Sequence, residues 1–237
     1  MSSDWIIVGI VLSAIYLPIL YFGVGRFLKP LARTTLIVLT LFELCLVFAH
    51  LIVYANNISG FSEWFFGLGS EYGLGATYSA AQLLAVGLIA FLVARFAAFT
   101  PAQRLYWIML GFLFTFLNLD EYYVLHDAID EKIFAGLAAV GMVIILGGYW
   151  INFRRERILF GLLFGGLVIV GLALGSDAVL PNVPQQSALE EFMEMNGITW
   201  ILVGFLSYAQ SNLPQNNFRW IKRIALVIPI LWALFLF

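Results

Sequence analysis

Stretches of about 20 apolar residues, set apart by short polar connections, recur along this chain from end to end, and no other feature limits its fold so strongly. A helix of that length matches the hydrocarbon thickness of a bilayer and satisfies its own main-chain hydrogen bonds there. By that measure the chain holds about eight spans, at roughly 5–27, 34–55, 73–95, 105–124, 133–151, 158–176, 190–210 and 219–237. The predicted fold class is all-α: a polytopic membrane helix bundle, with residues 1–237 forming a single integral membrane domain. Composition agrees, since 62% of the residues are hydrophobic and only 11% are charged, where a soluble domain carries about 25% charged residues. The first run, Trp5–Phe27, has no basic residue before it and no small-residue cleavage site, so it reads as a first span rather than a signal peptide.

The basic residues set an orientation. Of the 12 lysines and arginines, all but Lys132 fall in the connections after the first, third, fifth and seventh spans. They are Arg26, Lys29 and Arg33; Arg95 and Arg104; Arg154, Arg155 and Arg157; and Arg219, Lys222 and Arg223. The positive-inside rule puts these connections in the cytoplasm and both termini on the outer side. The expected location is therefore the cell membrane, plasma or inner, crossed many times. The acids segregate the other way, with Glu156 and the intramembrane Glu43 as the exceptions. A net charge of −2 gives no footprint for a nucleic-acid partner. The lone Cys45 supports neither a disulfide framework nor a thiolate metal site and reads as a small buried hydrophobe.

Local motifs add detail. Gly161 and Gly165, Gly171 and Gly175, Gly75 and Ser79, and Ala81 and Ala85 all have the small-xxx-small spacing, which predicts close helix contacts. The aromatic-rich connection 56–72 reads as an interfacial loop or short helix at headgroup level. Ser187 followed by Glu190 reads as a capping box opening the seventh span.

Polar chemistry gathers on three spans. The second carries Glu43 and His50, which are two turns apart and so share a face. A carboxyl near mid-bilayer is expected to be neutral, paired or turned to a wet cavity. The fourth ends in the stretch 117–131, which holds Asn118, Asp120, Glu121, His126, Asp127, Asp130 and Glu131. If the helix continues, Asp120, Tyr123, Asp127, Asp130 and Glu131 fall on one side, with Glu121 and Asn118 elsewhere and deeper. The seventh opens with Glu190, Glu191 and Glu194, whose i, i+3 and i, i+4 spacing places like charges together. Asp177, at the outer end of the sixth, is near enough in the topology to join them.

Carboxylates with imidazole suit Zn, Mn or Fe, so Glu121, Glu191, Glu194, His50 and His126 are the candidate ligands of a divalent metal. Glu43, Asn118, Asp120 and Asp177 are candidate pocket residues. The two histidines also leave a haem open as a cofactor. Neither a His-Glu-x-x-His nor a Glu-x-x-His pair is present. Three functions follow as expectations. The first is a metal-dependent hydrolase acting on a lipid-like substrate through an outward-facing carboxylate and histidine pocket. The second is a non-catalytic accessory subunit that docks other membrane subunits on its acidic face. The third is a proton or cation carrier with Glu43 as its midplane station. The lipid bilayer is the one partner common to all three.

Overall fold

The structure is a computed structural model and describes residues 20–56, 60, 66, 73–123, 131–179 and 184–235. Among the described residues every regular element is helical. A π turn at Leu20–Val24 and a 3-10 turn at Gly25–Phe27 lead into α1, Pro30–Ala55. Next come α2 (Leu74–Phe96), α3 (Pro101–Tyr123) and α4 (Glu131–Met142). A π segment, Val143–Gly147, joins α4 to α5 (Gly148–Phe153), and α6 (Arg157–Val179), α7 (Pro184–Asn212) and α8 (Gln215–Phe235) complete the chain. These helices fall where the second to eighth spans were predicted. Most of the first span lies outside the described residues. Among the described residues, two helices, Pro30–Tyr54 and Leu74–Phe96, are long and apolar enough to cross a membrane, with mean hydropathies of 2.6 and 1.9.

Helix starts follow local chemistry. Lys29 is extended and Pro30 opens α1, the position where a missing N–H costs nothing. The Arg33 Nε–H donates to the Gly25 carbonyl at 2.8 Å and ties the preceding turn to the helix. At α3 the Thr100 hydroxyl oxygen accepts from the Gln103 N–H at 3.3 Å, and Gln103 Oε1 accepts from the Thr100 N–H at 3.2 Å. This is a reciprocal capping box with Pro101 inside it. The box expected at Ser187 and Glu190 does not form at a helix start, because α7 already begins at Pro184 and Ser187 lies inside its first turn.

The core is centred on α2, which packs against α3, α7 and α8; α7 in turn packs against α1 and α6. Along α2, Ala80, Ala81, Ala85, Val86, Ile89, Ala90 and Val93 have no exposed surface. Asn118 Nδ2 donates to the Ala80 carbonyl at 2.7 Å and fixes the register of α3 on α2. Gly87 faces the Gly111 carbonyl and Thr115, so α3 runs antiparallel to α2 at backbone contact.

The small-residue pairs sort out differently from the expectation. Gly75, Ser79, Ala81 and Ala85 are buried as predicted. Gly161 and Gly171 face open space, however, and the close crossing of α6 on α7 is made by Gly166 against Gly197. Cys45 is exposed rather than buried. The reason is common to both corrections: an all-round apolar helix carries no stripe that separates core from surface.

A Cβ on Gly197 would lie 2.6 Å from Val170 Cγ2 and 2.7 Å from the Gly166 carbonyl oxygen. Gly197→Ala should therefore destabilise the protein by about 1–3 kcal/mol through overpacking. Gly171→Ala, with nothing within 4 Å of the new carbon, should leave stability unchanged or raise it. Thermal unfolding of both variants in detergent, followed by tryptophan fluorescence, checks the contrast; equal melting would contradict the crossing.

Candidate functional site

Glu43 stands on α1 with no exposed surface, among side chains from two other helices. Its Oε1 accepts from the Thr199 hydroxyl at 2.5 Å, from Gln82 Nε2 at 3.1 Å and from the Tyr78 hydroxyl at 3.3 Å. Its Oε2 accepts from Asn196 Nδ2 at 2.9 Å. Asn196 also donates to Thr40 Oγ1 at 3.3 Å, and Gln82 Nε2 to Thr199 Oγ1 at 2.6 Å. The carboxyl group thus collects four side-chain donors from α2 and α7, which suits its acceptor capacity. The donors come at helical spacing: Tyr78 and Gln82 are i, i+4 on α2, and Asn196 and Thr199 are i, i+3 on α7. Gln82 Oε1 and Ser79 Oγ are buried without a hydrogen-bond partner among the described residues.

The candidate carboxylates stand outward of this network. Leu46 and Leu51 of α1 pack with Ala188 and Met195 of α7, so the two helices run antiparallel. Glu43 is level with Asn196 to Thr199. At about 1.5 Å per residue, Glu194 lies roughly 5 Å and Glu191 roughly 10 Å further toward the acidic end. Glu121 of α3 is within electrostatic reach of Glu194 and Asp120, and Glu191 of Glu194, Glu121 and Glu190. Glu121, Glu190, Glu191 and Glu194 are part-buried, and Asp120 is buried. Glu121 of α3 and Glu191 and Glu194 of α7 thus interact electrostatically across the two helices.

His50 is buried on α1, with its ring 4.6 Å from that of Tyr54. By the same register it stands level with Glu190 and Glu191. Asn118 does not join the acids, since its amide is held by the Ala80 carbonyl. The side chain of Asp177 and all of His126, Asp127 and Asp130 lie outside the described residues. Among the described residues, no group of three His, Cys, Asp or Glu side chains is set to hold a metal ion. The acids share one region without forming a ready ligand shell.

Toward the opposite, basic end apolar side chains dominate the interior. Leu36 and Leu39 of α1, Val86 and Ile89 of α2, and Leu202, Val203 and Leu206 of α7 are fully buried. Trp107, Phe205 and Tyr208 continue that seal, with ring centroids 4.9 and 5.1 Å from Trp107. The hydrogen-bonded polar series thus runs inward from the acidic end to Glu43 and Thr40, and beyond it the buried polar residues include Thr35 and Ser207 among apolar side chains. Tyr78, Gln82, Asn196 and Thr199 went unnoticed in the sequence. Their helical spacing in apolar runs was the available signal.

Glu43→Ala would leave four buried donors without their acceptor, at a cost on the order of 3 kcal/mol. Glu43→Gln keeps the shape and one acceptor oxygen, so it should cost distinctly less. Denaturation midpoints in detergent check the order; equal losses would show that the donors find other partners.

The family model described as Domain of unknown function (DUF8692) matches residues 45–209. No curated protein and no solved structure matches the chain. The matched stretch holds Tyr78, Gln82, Glu121, Glu191, Glu194, Asn196 and Thr199, and begins two residues after Glu43. It covers well over half of the sequence, and the chain belongs to this family.

Proposed function

We propose that this family member is a multi-pass membrane protein with a one-sided cation-binding site that opens at its acidic end and terminates at Glu43. The carrying observation is the gathering of Glu121, Glu191 and Glu194 from α3 and α7 in one part-buried region. Like charges held together in an apolar protein repel unless protons or a cation offset them. The orphan acceptor Gln82 Oε1, on a side chain that bonds the innermost carboxyl group, adds further oxygen chemistry for a positive guest.

Two features support the eight-span reading. Helices α2 to α8 occupy the predicted positions, and large apolar side chains such as Phe112, Val143, Ile151 and Trp220 face outward. Apolar surface of that extent suits a lipid environment. The lysine and arginine pattern then assigns the acidic end to the outer face.

The core between Glu43 and the basic end is mostly apolar, although it includes the buried Thr35 and Ser207, which favours a site filled and emptied from one side over a through-carrier. Metal-dependent hydrolysis of a lipid-like substrate is a second reading, favoured by the carboxylate convergence. It requires Glu121, Glu191 and Glu194 to draw together around the ion, because they do not form a ligand set as they stand. An accessory role would place a partner's basic residues against the same acids.

Element analysis and calorimetric titration with Zn, Mn and Ca test the proposal on purified protein. Wild type should bind a cation stoichiometrically, and Glu121→Ala with Glu194→Ala should weaken binding at least about tenfold, equivalent to 1.4 kcal/mol. Equal binding by both proteins, or none by wild type, would remove the cation site. Proteoliposomes should show no Glu43-dependent cation flux; such a flux would replace the one-sided site with a carrier.

A further inference from the structure

The other end of the bundle holds a cavity that the acidic site does not involve. It has a volume of about 410 Å³ and lies where the 97–100 turn, the 154–156 turn and the C-terminal end of α7 meet. We propose that this cavity binds a phosphate ester carried beside an ammonium group, the chemistry of a phosphoethanolamine headgroup.

Its polar wall is preorganised. Gln103 Nε2 donates to the Asn152 carbonyl at 3.3 Å, Asn152 Nδ2 to the Gly148 carbonyl at 2.9 Å, and Asn212 Nδ2 to the Tyr208 carbonyl at 2.9 Å. Gln103 is fixed by two main-chain bonds, through Oε1 and Nε2, and Asn152 and Asn212 by one each; every carboxamide retains a second N–H. Arg154 and Arg155 line the same cavity from the turn between α5 and α6. Among the described residues, neither guanidinium is engaged in an ion pair. Two arginine forks with carboxamide donors match a phosphate, which accepts several hydrogen bonds at once. Glu156 follows directly and also lines the cavity. Its carboxylate would repel a bare phosphate but suits an ammonium two carbons away.

The surroundings favour a membrane source. Phe99 and Phe153 form an aromatic wall, with rings 5.8 Å apart. Ile151, on the rim, is 79% exposed, and Trp150 beside it is 66% exposed. Acyl chains can lie along that apolar face while the headgroup enters the cavity. Basic pockets between membrane helices are a recurrent mode of lipid headgroup recognition.

The test uses the full chain in detergent with two probes: dihexanoyl phosphatidylethanolamine and free phosphoethanolamine. Binding is followed by native mass spectrometry and tryptophan fluorescence. Wild type should bind the lipid, and Arg154→Gln with Arg155→Gln should weaken it at least about tenfold. Arg154→Lys with Arg155→Lys keeps the charge but loses the fork, and should bind weakly too. Arg219→Gln with Arg223→Gln removes equal charge outside the cavity and should bind as wild type does. Equal binding of both probes would assign the site to a free phosphorylated amine, and preference for the lipid would assign it to the bilayer. Absence of binding by wild type, or equal weakening by the Arg219 and Arg223 pair, would overturn the proposal.

Discussion

A carboxyl group cannot be left alone in an apolar interior, and that constraint organises this bundle. Glu43 has no exposed surface, so its oxygens must find donors within the protein. They find them on α2 and α7, which places three helices around one point. Apolar packing alone leaves helices free to rotate or slide with little loss, because Leu, Val and Ala are poor at distinguishing one register from the next. Four directed hydrogen bonds to two oxygens do not tolerate such a slip. The close approaches at Gly87 and Gly166 then allow α3 and α6 to pack at backbone distance around that frame.

The same constraint shapes the polar interior. The donors are on the acidic side of a mostly apolar band that includes Leu39, Val86 and Val203. Carboxylates follow from Glu43 outward in steps of about one helical turn. The basic end is built differently, from aromatic rings, exposed arginines and carboxamides tied to main chain. The π segment Val143–Gly147 belongs to that end. Its Ile145 carbonyl accepts from the Gly148 N–H and also from the Tyr106 hydroxyl, at 2.9 Å. The two ends therefore differ in their chemistry.

Much of this was legible in the residue order. The apolar runs marked seven of the helices, and Glu43 stood out as an acid in the middle of one. Glu121, Glu191 and Glu194 stood out in the sequence because Glu121 lay deep at a helix end and the i, i+3 and i, i+4 spacing of Glu194 from Glu191 and Glu190 set like charges together. What escaped notice was relational. The donors to Glu43 lie 35 to 156 residues away, and hydropathy has no term for which helices are neighbours. Cys45 and Gly161 were misplaced because their helices are apolar on every face. The capping box at Ser187 was misplaced because Pro184 starts α7 one turn earlier, while Thr100 and Gln103 formed the pattern in full.

The sequence by itself determined the helical class, the positions of the rods and the separation of acids from bases, because hydrophobic run length and charge are properties of a segment taken alone. Tertiary structure decided which face of each rod is inside and which polar groups meet Glu43. Those are properties of pairs of segments, set by directed hydrogen bonds and backbone-distance glycine contacts between helices far apart in the chain.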